Sequence, residues 1–97
     1  MKTLSEIQSI LHAHATDLHS LHGIVRLEIF GSVARGEARE QSDIDILAEF
    51  DRPISLFDLA AAENYLIDLL GAEVDLIPRR SVRPELRENI FREALPV

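Results

Sequence analysis

Two acidic residues, Asp43 and Asp45, are separated by one isoleucine in a stretch that alternates apolar and polar residues as far as Phe50. Such alternation predicts a β-strand, in which residues two apart share a face with Cα atoms about 6.5 Å apart. Two carboxylates at this spacing repel each other unless a cation lies between them. Mg²⁺ is the hard cation that suits carboxylate oxygens, so the pair indicates a metal site on one face of a sheet.

A third acid, Asp75, lies on the polar face of a short predicted strand from Glu73 to Ile77. If this strand pairs beside the strand that carries Asp43 and Asp45, the three carboxylates converge. Three carboxylates supply the ligands that a two-metal phosphoryl-transfer site needs. We therefore predict that Asp43, Asp45 and Asp75 are catalytic metal ligands, with two Mg²⁺ ions expected.

A glycine–serine turn, Gly31 and Ser32, directly follows another predicted strand, from Ile24 to Phe30. Gly31 lets the backbone approach a bulky anion closely, and Ser32 offers its hydroxyl and N–H. The start of a short helix at this point would present further N–H groups to phosphate. Arg35 and Arg39, one helical turn apart, could add charge-assisted contacts. Gly31, Ser32 and Arg35 are therefore predicted to bind phosphate groups.

Each of these features is ordinary when it occurs alone, and the combination carries the prediction.

Other residues that could take part in chemistry have simpler interpretations. Four histidines on the first predicted helix lack the i, i+4 spacing of a zinc site, and the only tyrosine, Tyr65, is expected to pack. Arg79 and Arg80 could lie near the phosphate-binding site or a partner, although a solvated arginine-rich helix is the simpler interpretation. The histidines are His12, His14, His19 and His22.

The predicted order of elements along the chain is helix, strand, short helix or loop, strand, helix, strand, helix. The first helix is capped by Thr3 and Glu6 and ends at Gly23, the second long helix runs from Ser55 to Gly71, and Pro84 begins the last helix, which Pro96 ends. The apolar stripe of the first helix is Leu4, Ile7, Leu11, Leu18 and Leu21.

All three predicted strands have one aliphatic face and one charged face. We therefore expect the helices to cover one face of the sheet and to leave the other open to solvent or a ligand. The predicted fold class is α/β (α+β), with a small mixed sheet of three or four strands in a single domain over residues 1–97.

Composition excludes several classes of protein. The chain has no cysteine, which excludes disulfides and thiolate metal sites, and it has no apolar run long enough to span a membrane. A net charge of −7 argues against direct nucleic-acid binding and favours a basic protein partner or a carboxylate site that holds cations. With no signal-peptide pattern at its start, the chain is expected to be cytoplasmic.

The spacing of Gly31-Ser32, ten further residues and then Asp43-Ile44-Asp45 resembles the signature of the DNA polymerase β-like nucleotidyltransferase superfamily. The longer string GSVARGEAREQSDIDILAEF, with VDLIP downstream, looks like the minimal nucleotidyltransferases, the antitoxins encoded beside HEPN-domain toxins. The resemblance covers essentially the whole chain. It implies a polymerase β palm-like fold.

The resemblance also implies roles for individual residues. Gly31 and Ser32 match the positions that hold the β and γ phosphates, and Asp43 and Asp45 match the acids shared by both metal ions. Asp75 matches the acid that completes the second metal site and helps to deprotonate the attacking hydroxyl. The implied reaction transfers AMP from ATP to a tyrosine of the HEPN toxin, which silences its ribonuclease and implies a possible hetero-oligomer with the toxin.

Two alternatives remain open at this point. The chain could be an antitoxin that neutralises its partner by binding alone, with acids that are vestigial or structural. It could instead modify a small molecule such as an antibiotic, although 97 residues leave no room for the second domain of larger relatives.

Overall fold

A four-stranded mixed sheet lies at the centre of the computed structural model, which describes residues 2–97. Its strands are β1 (Ile24–Phe30), β2 (Ile44–Phe50), β3 (Val74–Pro78) and β4 (Leu95–Pro96), in the spatial order β3-β2-β1-β4. Strand β1 is antiparallel to β2 and β4, whereas β2 and β3 are parallel. The predicted α/β class with a small mixed sheet is confirmed, and the sheet has four strands.

Three helices cover one face of this sheet: α1 (Leu4–Ala13), α2 (Ala15–His22) and α4 (Leu56–Leu70). Helix α4 connects β2 to β3, as the crossover between parallel strands requires. Aliphatic residues from the helices and the strands form one continuous core, and burying each of the larger ones stabilises the fold by roughly 1.5–3 kcal/mol. The fully buried large side chains of this core are Ile7, Leu11, Leu18, Ile29, Ile44, Ile46, Leu66 and Leu70.

The prediction of one continuous N-terminal helix is wrong, because the helix is interrupted at His14. The backbone of His14 has φ −105° and ψ 14°, and its ring nitrogen Nδ1 lies 2.9 Å from the carbonyl oxygen of Ile10. Within α2, Leu18 is buried and Leu21 is exposed. The capping box of Thr3 and Glu6 is present as predicted.

The remaining helix boundaries follow local signals. Helix α4 has a capping box formed by Ser55 and Asp58 and ends at Gly71, whose φ of 66° is the left-handed conformation that glycine adopts freely. Leu56, the first residue of this helix, is exposed.

Strand β1 departs from strict alternation at its start. The register with β2 shifts between Ile24 and Arg26, as at a β-bulge, so Ile24 is buried and Val25 is exposed. From Leu27 onward the strand alternates as predicted, except that Glu28, on the polar face, is also buried. Strand β3 starts one residue later than predicted and continues to Pro78.

The second face of the sheet is only partly open. Helix α5 (Pro84–Glu93), which follows a 3₁₀ turn at Arg79–Ser81, lies on this face. A small apolar cluster of Phe30, Leu47 and Val82, with Ile90 and Phe91 of α5 packed against it, holds the helix there. The expectation that all helices share one face is therefore corrected, because Phe30 and Leu47 on the second face are apolar and need cover.

No helix in residues 2–97 is both long enough and apolar enough to cross a membrane. The last helix, predicted to end at Pro96, ends at Glu93, and Pro96 belongs to β4, which pairs with β1.

Candidate active site

Asp45 and Asp75 are register partners in the parallel pair formed by β2 and β3. Because directly paired residues on neighbouring strands point to the same face, the two carboxylates project side by side onto the second face of the sheet. On its other side Asp45 pairs with Phe30, the last residue of β1. The convergence of Asp45 and Asp75 that was predicted from the sequence is therefore present.

Asp43 lies one residue before β2, where the N–H of Ile44 donates a hydrogen bond of 2.9 Å to the carbonyl oxygen of Glu73. This bond joins the start of β2 to the start of β3. The two segments that carry the acids therefore lie at the same end of the strands. Asp43 and Asp75 are exposed, whereas Asp45 is half-buried between them.

The three acids interact electrostatically. Burial raises the pKa of the Asp45 carboxyl above its ordinary value of 3.8, and the negative charges of Asp75 and Asp43 raise it further. Arg35 opposes these effects because its positive charge favours the ionised form of Asp45. A site that penalises its own negative charge in this way is suited to a bound cation.

Gly31 lies directly against Asp45. Its φ of 73° is left-handed, and a Cβ atom at this position would overlap Oδ2 of Asp45. Residue 31 must therefore be glycine for two independent reasons, its backbone conformation and the space that Asp45 occupies. Gly31 also begins the single-turn helix α3 (Gly31–Ala34), in which Ser32 is the second residue and is half-buried.

Arg35, which follows α3, is held by two carboxylates. Its Nε donates to Oε1 of Glu37 at 2.8 Å, and its Nη1 donates to both carboxylate oxygens of Glu93 at 3.1 and 3.2 Å. Oε1 of Glu93 also accepts a 2.7 Å hydrogen bond from the N–H of Gly31. Sequence reasoning missed Glu93, because nothing in the arginine- and glutamate-rich segment around it indicates that it reaches residue 31.

The other arginines considered from the sequence have different surroundings. Arg79 donates to Oε1 of the buried Glu28 at 3.2 Å and lies 4.0 Å from the ring centroid of Phe91. The side chains of Arg39 and Arg80 are exposed. Arg79 therefore anchors α5 to the sheet at the end of β3 remote from Asp75.

The four histidines are dispersed over α1 and α2. Nε2 of His19 lies 2.7 Å from Oδ2 of Asp51, and the His22 ring packs against Tyr65 with 5.0 Å between the ring centroids. Their surroundings are those of surface and packing residues.

Within residues 2–97, no three His, Cys, Asp or Glu side chains form a preassembled cluster for a metal ion. The donor chemistry of Asp43, Asp45 and Asp75 nevertheless fits Mg²⁺, which takes only one or two carboxylates directly and completes its shell with water and phosphate oxygens. The raised pKa of Asp45 supports the fit, since a divalent cation would relieve the repulsion from Asp43 and Asp75.

Residues 11–97 match the family described as the nucleotidyltransferase domain. The chain is 50% identical over 96 residues to a Methanocaldococcus jannaschii protein assigned as a protein adenylyltransferase, with 98% of each chain covered. It is 42% identical over 97 residues to the protein adenylyltransferase MntA of Thermococcus cleftensis, with 100% of this chain and 98% of that protein covered.

Solved structures agree with this relationship. A structure assigned as a minimal nucleotidyltransferase has a TM-score of 0.82 and 43% identity, covering 99% of this chain and 97% of that one. A chain in the complex of a tri-AMPylated Shewanella oneidensis HEPN toxin with its MNT antitoxin has a TM-score of 0.68 at 17% identity, covering 95% of this chain and 69% of that one, which shows a shared fold. Because these matches span nearly the whole chain, we conclude that it is an enzyme of the nucleotidyltransferase domain family and one of the minimal nucleotidyltransferases.

Proposed function

We propose that the chain is a Mg²⁺-dependent antitoxin that transfers AMP from ATP to a tyrosine hydroxyl of a HEPN-domain toxin. The observation that carries the proposal is the pairing of Asp45 with Asp75, with Gly31 packed directly against the Asp45 carboxylate. The acids that would bind cations and the backbone N–H that would bind phosphate therefore lie close together at one end of the sheet. Phosphoryl transfer asks little more of a protein than this kind of positioning and charge neutralisation.

The proposed site residues have separate roles. Asp43, Asp45 and Asp75 would hold two Mg²⁺ ions, which when bound would neutralise charge on the reacting phosphates. The Gly31 N–H, the Ser32 hydroxyl and the Arg35 guanidinium bind the β and γ phosphates and so orient the α phosphate toward the acids.

The transfer itself exchanges one phosphorus–oxygen bond for another. The tyrosine oxygen bonds to the α phosphorus while the bond from that phosphorus to the bridging oxygen breaks, and pyrophosphate leaves. Asp75 accepts the proton that the tyrosine hydroxyl loses. Because Asp75 is exposed, an acceptor carried by a second protein can approach it from solvent.

Two observations support a protein acceptor. The chain has 17 acidic and 10 basic residues, a balance that repels the backbone of a nucleic acid. Its relatives carry the name of protein adenylyltransferase, and a chain of the same fold is found with an AMPylated HEPN toxin.

Co-expression with the protein encoded by the neighbouring gene tests the proposal. We expect the intact mass of that partner to increase by one or more AMP units with the wild-type chain. The Asp43→Asn, Asp45→Asn double variant should abolish the increase. Asp68→Asn, an exposed acid on α4, is the matched control and should leave it unchanged.

Toxicity measured in the same cells separates catalysis from binding. Loss of protection together with loss of the mass increase supports catalytic silencing. Protection by the double variant without any mass increase would contradict the proposal and support neutralisation by binding alone. No modification of the partner by the wild-type chain, with both proteins folded and Mg²⁺ and ATP present, would also contradict it.

A further inference from the structure

The carboxylate of Glu93 engages the donors that the proposed function assigns to nucleotide phosphates. The Gly31 N–H donates to its Oε1 at 2.7 Å, and Arg35 Nη1 donates to Oε1 at 3.2 Å and to Oε2 at 3.1 Å. A backbone N–H and a guanidinium that meet on one anion form the kind of site that also binds phosphate oxygens. Glu93 is therefore a carboxylate in the place where the proposed function requires phosphate.

One donor cannot serve both anions at full strength. The Gly31 N–H has a single hydrogen, so an oxygen of Glu93 and an oxygen of a phosphate exclude each other there. Two anions side by side also repel, and the Glu93 side chain, 29% exposed, is only partly screened by water. Phosphate binding must therefore work against Glu93.

The helix that carries Glu93 lies at the periphery of the fold, where Arg79 lies 4.0 Å from the ring centroid of Phe91. Glu93 is the last residue of α5, and no residue of α5 is fully buried. The helix rests on the sheet through the small cluster of Phe30, Leu47 and Val82, apart from the main core. Beyond it, β4 pairs with β1 at only two positions, Glu28 with Pro96 and Ile29 with Leu95. Such peripheral elements open locally at a small free-energy cost.

We propose that Glu93 is an internal competitor of the nucleotide, which lowers ATP affinity by occupying the Gly31 N–H and the Arg35 guanidinium. The inference rests on the proposed function, because it takes these two groups to be phosphate ligands. Nucleotide binding then releases Glu93 from the loop. Removing its charge should tighten binding, whereas a merely structural role for Glu93 in supporting the loop predicts weaker binding.

ATP affinity in the presence of Mg²⁺, measured by titration calorimetry on the whole chain, tests the sign of this effect. Glu93→Gln keeps the size of the side chain and an oxygen for the Gly31 N–H but removes the charge, and we expect Kd to fall roughly three- to tenfold. Glu88→Gln is the matched control, because Glu88 lies on the same helix, pairs with Arg92 at 2.6 Å and is 85% exposed. It makes the same change in net charge and should leave Kd within about twofold.

The outcomes separate this inference from the proposed function. If the wild-type chain binds ATP and Glu93→Gln binds it equally or more weakly, the inference that Glu93 competes with ATP is overturned. The proposed function is not contradicted by that result. Failure of the wild-type chain to bind ATP, or an Arg35→Ala variant that binds ATP as tightly as wild type, contradicts the phosphate-binding roles and hence the proposed function as well.

A second measurement follows Glu93 directly in the wild-type chain by nuclear magnetic resonance. In the wild-type chain, the carbon resonance of the Glu93 carboxyl group should shift on saturation with ATP and Mg²⁺ as it loses its two donors. Glu93→Asp serves for assignment, because it keeps the charge. A resonance that stays unchanged at saturation means that Glu93 remains bound to the loop, which overturns the inference.

Discussion

The Oδ2 atom of Asp45 occupies the space into which a side chain on Gly31 would project. Asp45 lies on β2, and Gly31 directly follows β1, which pairs antiparallel with β2 so that Phe30 is opposite Asp45. The contact therefore couples the shape of the phosphate-binding loop to the position of an acid. A change at residue 31 is a change at Asp45 as well.

Gly31→Ala should accordingly lower the free energy of unfolding by more than its backbone conformation explains. Gly36 has the same φ of 73°, but a Cβ atom there would have no neighbour within 4 Å, so Gly36→Ala isolates the backbone term. We expect Gly36→Ala to lower the free energy of unfolding by about 1–2 kcal/mol. Gly31→Ala should lower it by a further 1–3 kcal/mol and reduce AMP transfer at least tenfold. Urea unfolding and the mass assay measure the two effects, and equal losses for both variants would contradict the clash.

Asp45→Asn should stabilise the protein in the absence of divalent cations at pH 7. Because the pKa of Asp45 is raised by burial and by Asp75 and Asp43, the fold is penalised when this carboxyl is ionised. The penalty is absent well below the ordinary pKa of 3.8, increases as the pH rises from that value to the higher folded pKa, and is complete at pH 7. Removing it should add about 0.5–1 kcal/mol, or a few degrees in Tm.

Thermal unfolding at pH 7 and at pH 3 checks this prediction, with Asp68→Asn as an exposed control that should change stability by less than about 0.5 kcal/mol. The gain should be present at pH 7 and disappear at pH 3. Added Mg²⁺ should then raise the Tm of the wild-type chain more than that of Asp45→Asn. A variant that is less stable than wild type at pH 7 would refute the electrostatic interpretation.

Arg79 supports a buried carboxylate, and its removal should destabilise the second face of the sheet. Glu28 is only 5% exposed and accepts a 3.2 Å hydrogen bond from Arg79. Arg79→Met leaves that carboxylate with Arg26, 3.7 Å away, as its remaining cation, and should lower the free energy of unfolding by about 2 kcal/mol. Adding Glu28→Gln to Arg79→Met should recover part of the loss. A double-mutant cycle in urea measures the coupling, and no recovery would mean that Arg79 acts through Phe91 instead.

Asp51 should contribute stability that is lost in acid. Hydrogen bonds from Arg52 and from His19 lower the pKa of Asp51 from 3.8 to about 2. A lowered acid pKa stabilises the fold above the unfolded value, and that contribution disappears as the pH falls through the folded value. The Tm difference between wild type and Asp51→Asn should therefore be present at pH 5 and shrink between pH 4 and 2. A difference that grows in this range would contradict the assignment.

The parts of the fold that sequence predicted best are those decided locally. The capping boxes at Thr3 and Ser55, the terminal glycines Gly23 and Gly71, and the strand from Ile44 to Phe50 depend on residues within a few positions of one another. The alternation of β2 was enough to predict the strand that carries Asp45, and Asp43 lies one residue before that strand. The interruption at His14 lacks such a signal, because no proline or glycine lies nearby.

The parts that the sequence could not predict depend on pairs of distant residues. The apolar positions Ile90 and Phe91 indicate that α5 has a packing face, but not that this face covers Phe30 and Leu47. The contact between Glu93 and Gly31 joins residues 62 positions apart, so neither periodicity nor spacing could reveal it.

The pairing of Phe30 with Asp45 has a consequence for how such proteins are found. The pairing of β1 with β2 decides where the Gly-Ser turn lies relative to the acids. The mostly exposed connection from Gly36 to Ser42, which leads to β2, does not decide it. Extra residues inserted into that connection would leave the register of the strands intact. The interval of ten residues is therefore a convenient fingerprint for database searching, while divergent homologues with longer intervals can preserve the same three-dimensional arrangement and escape a search that counts residues.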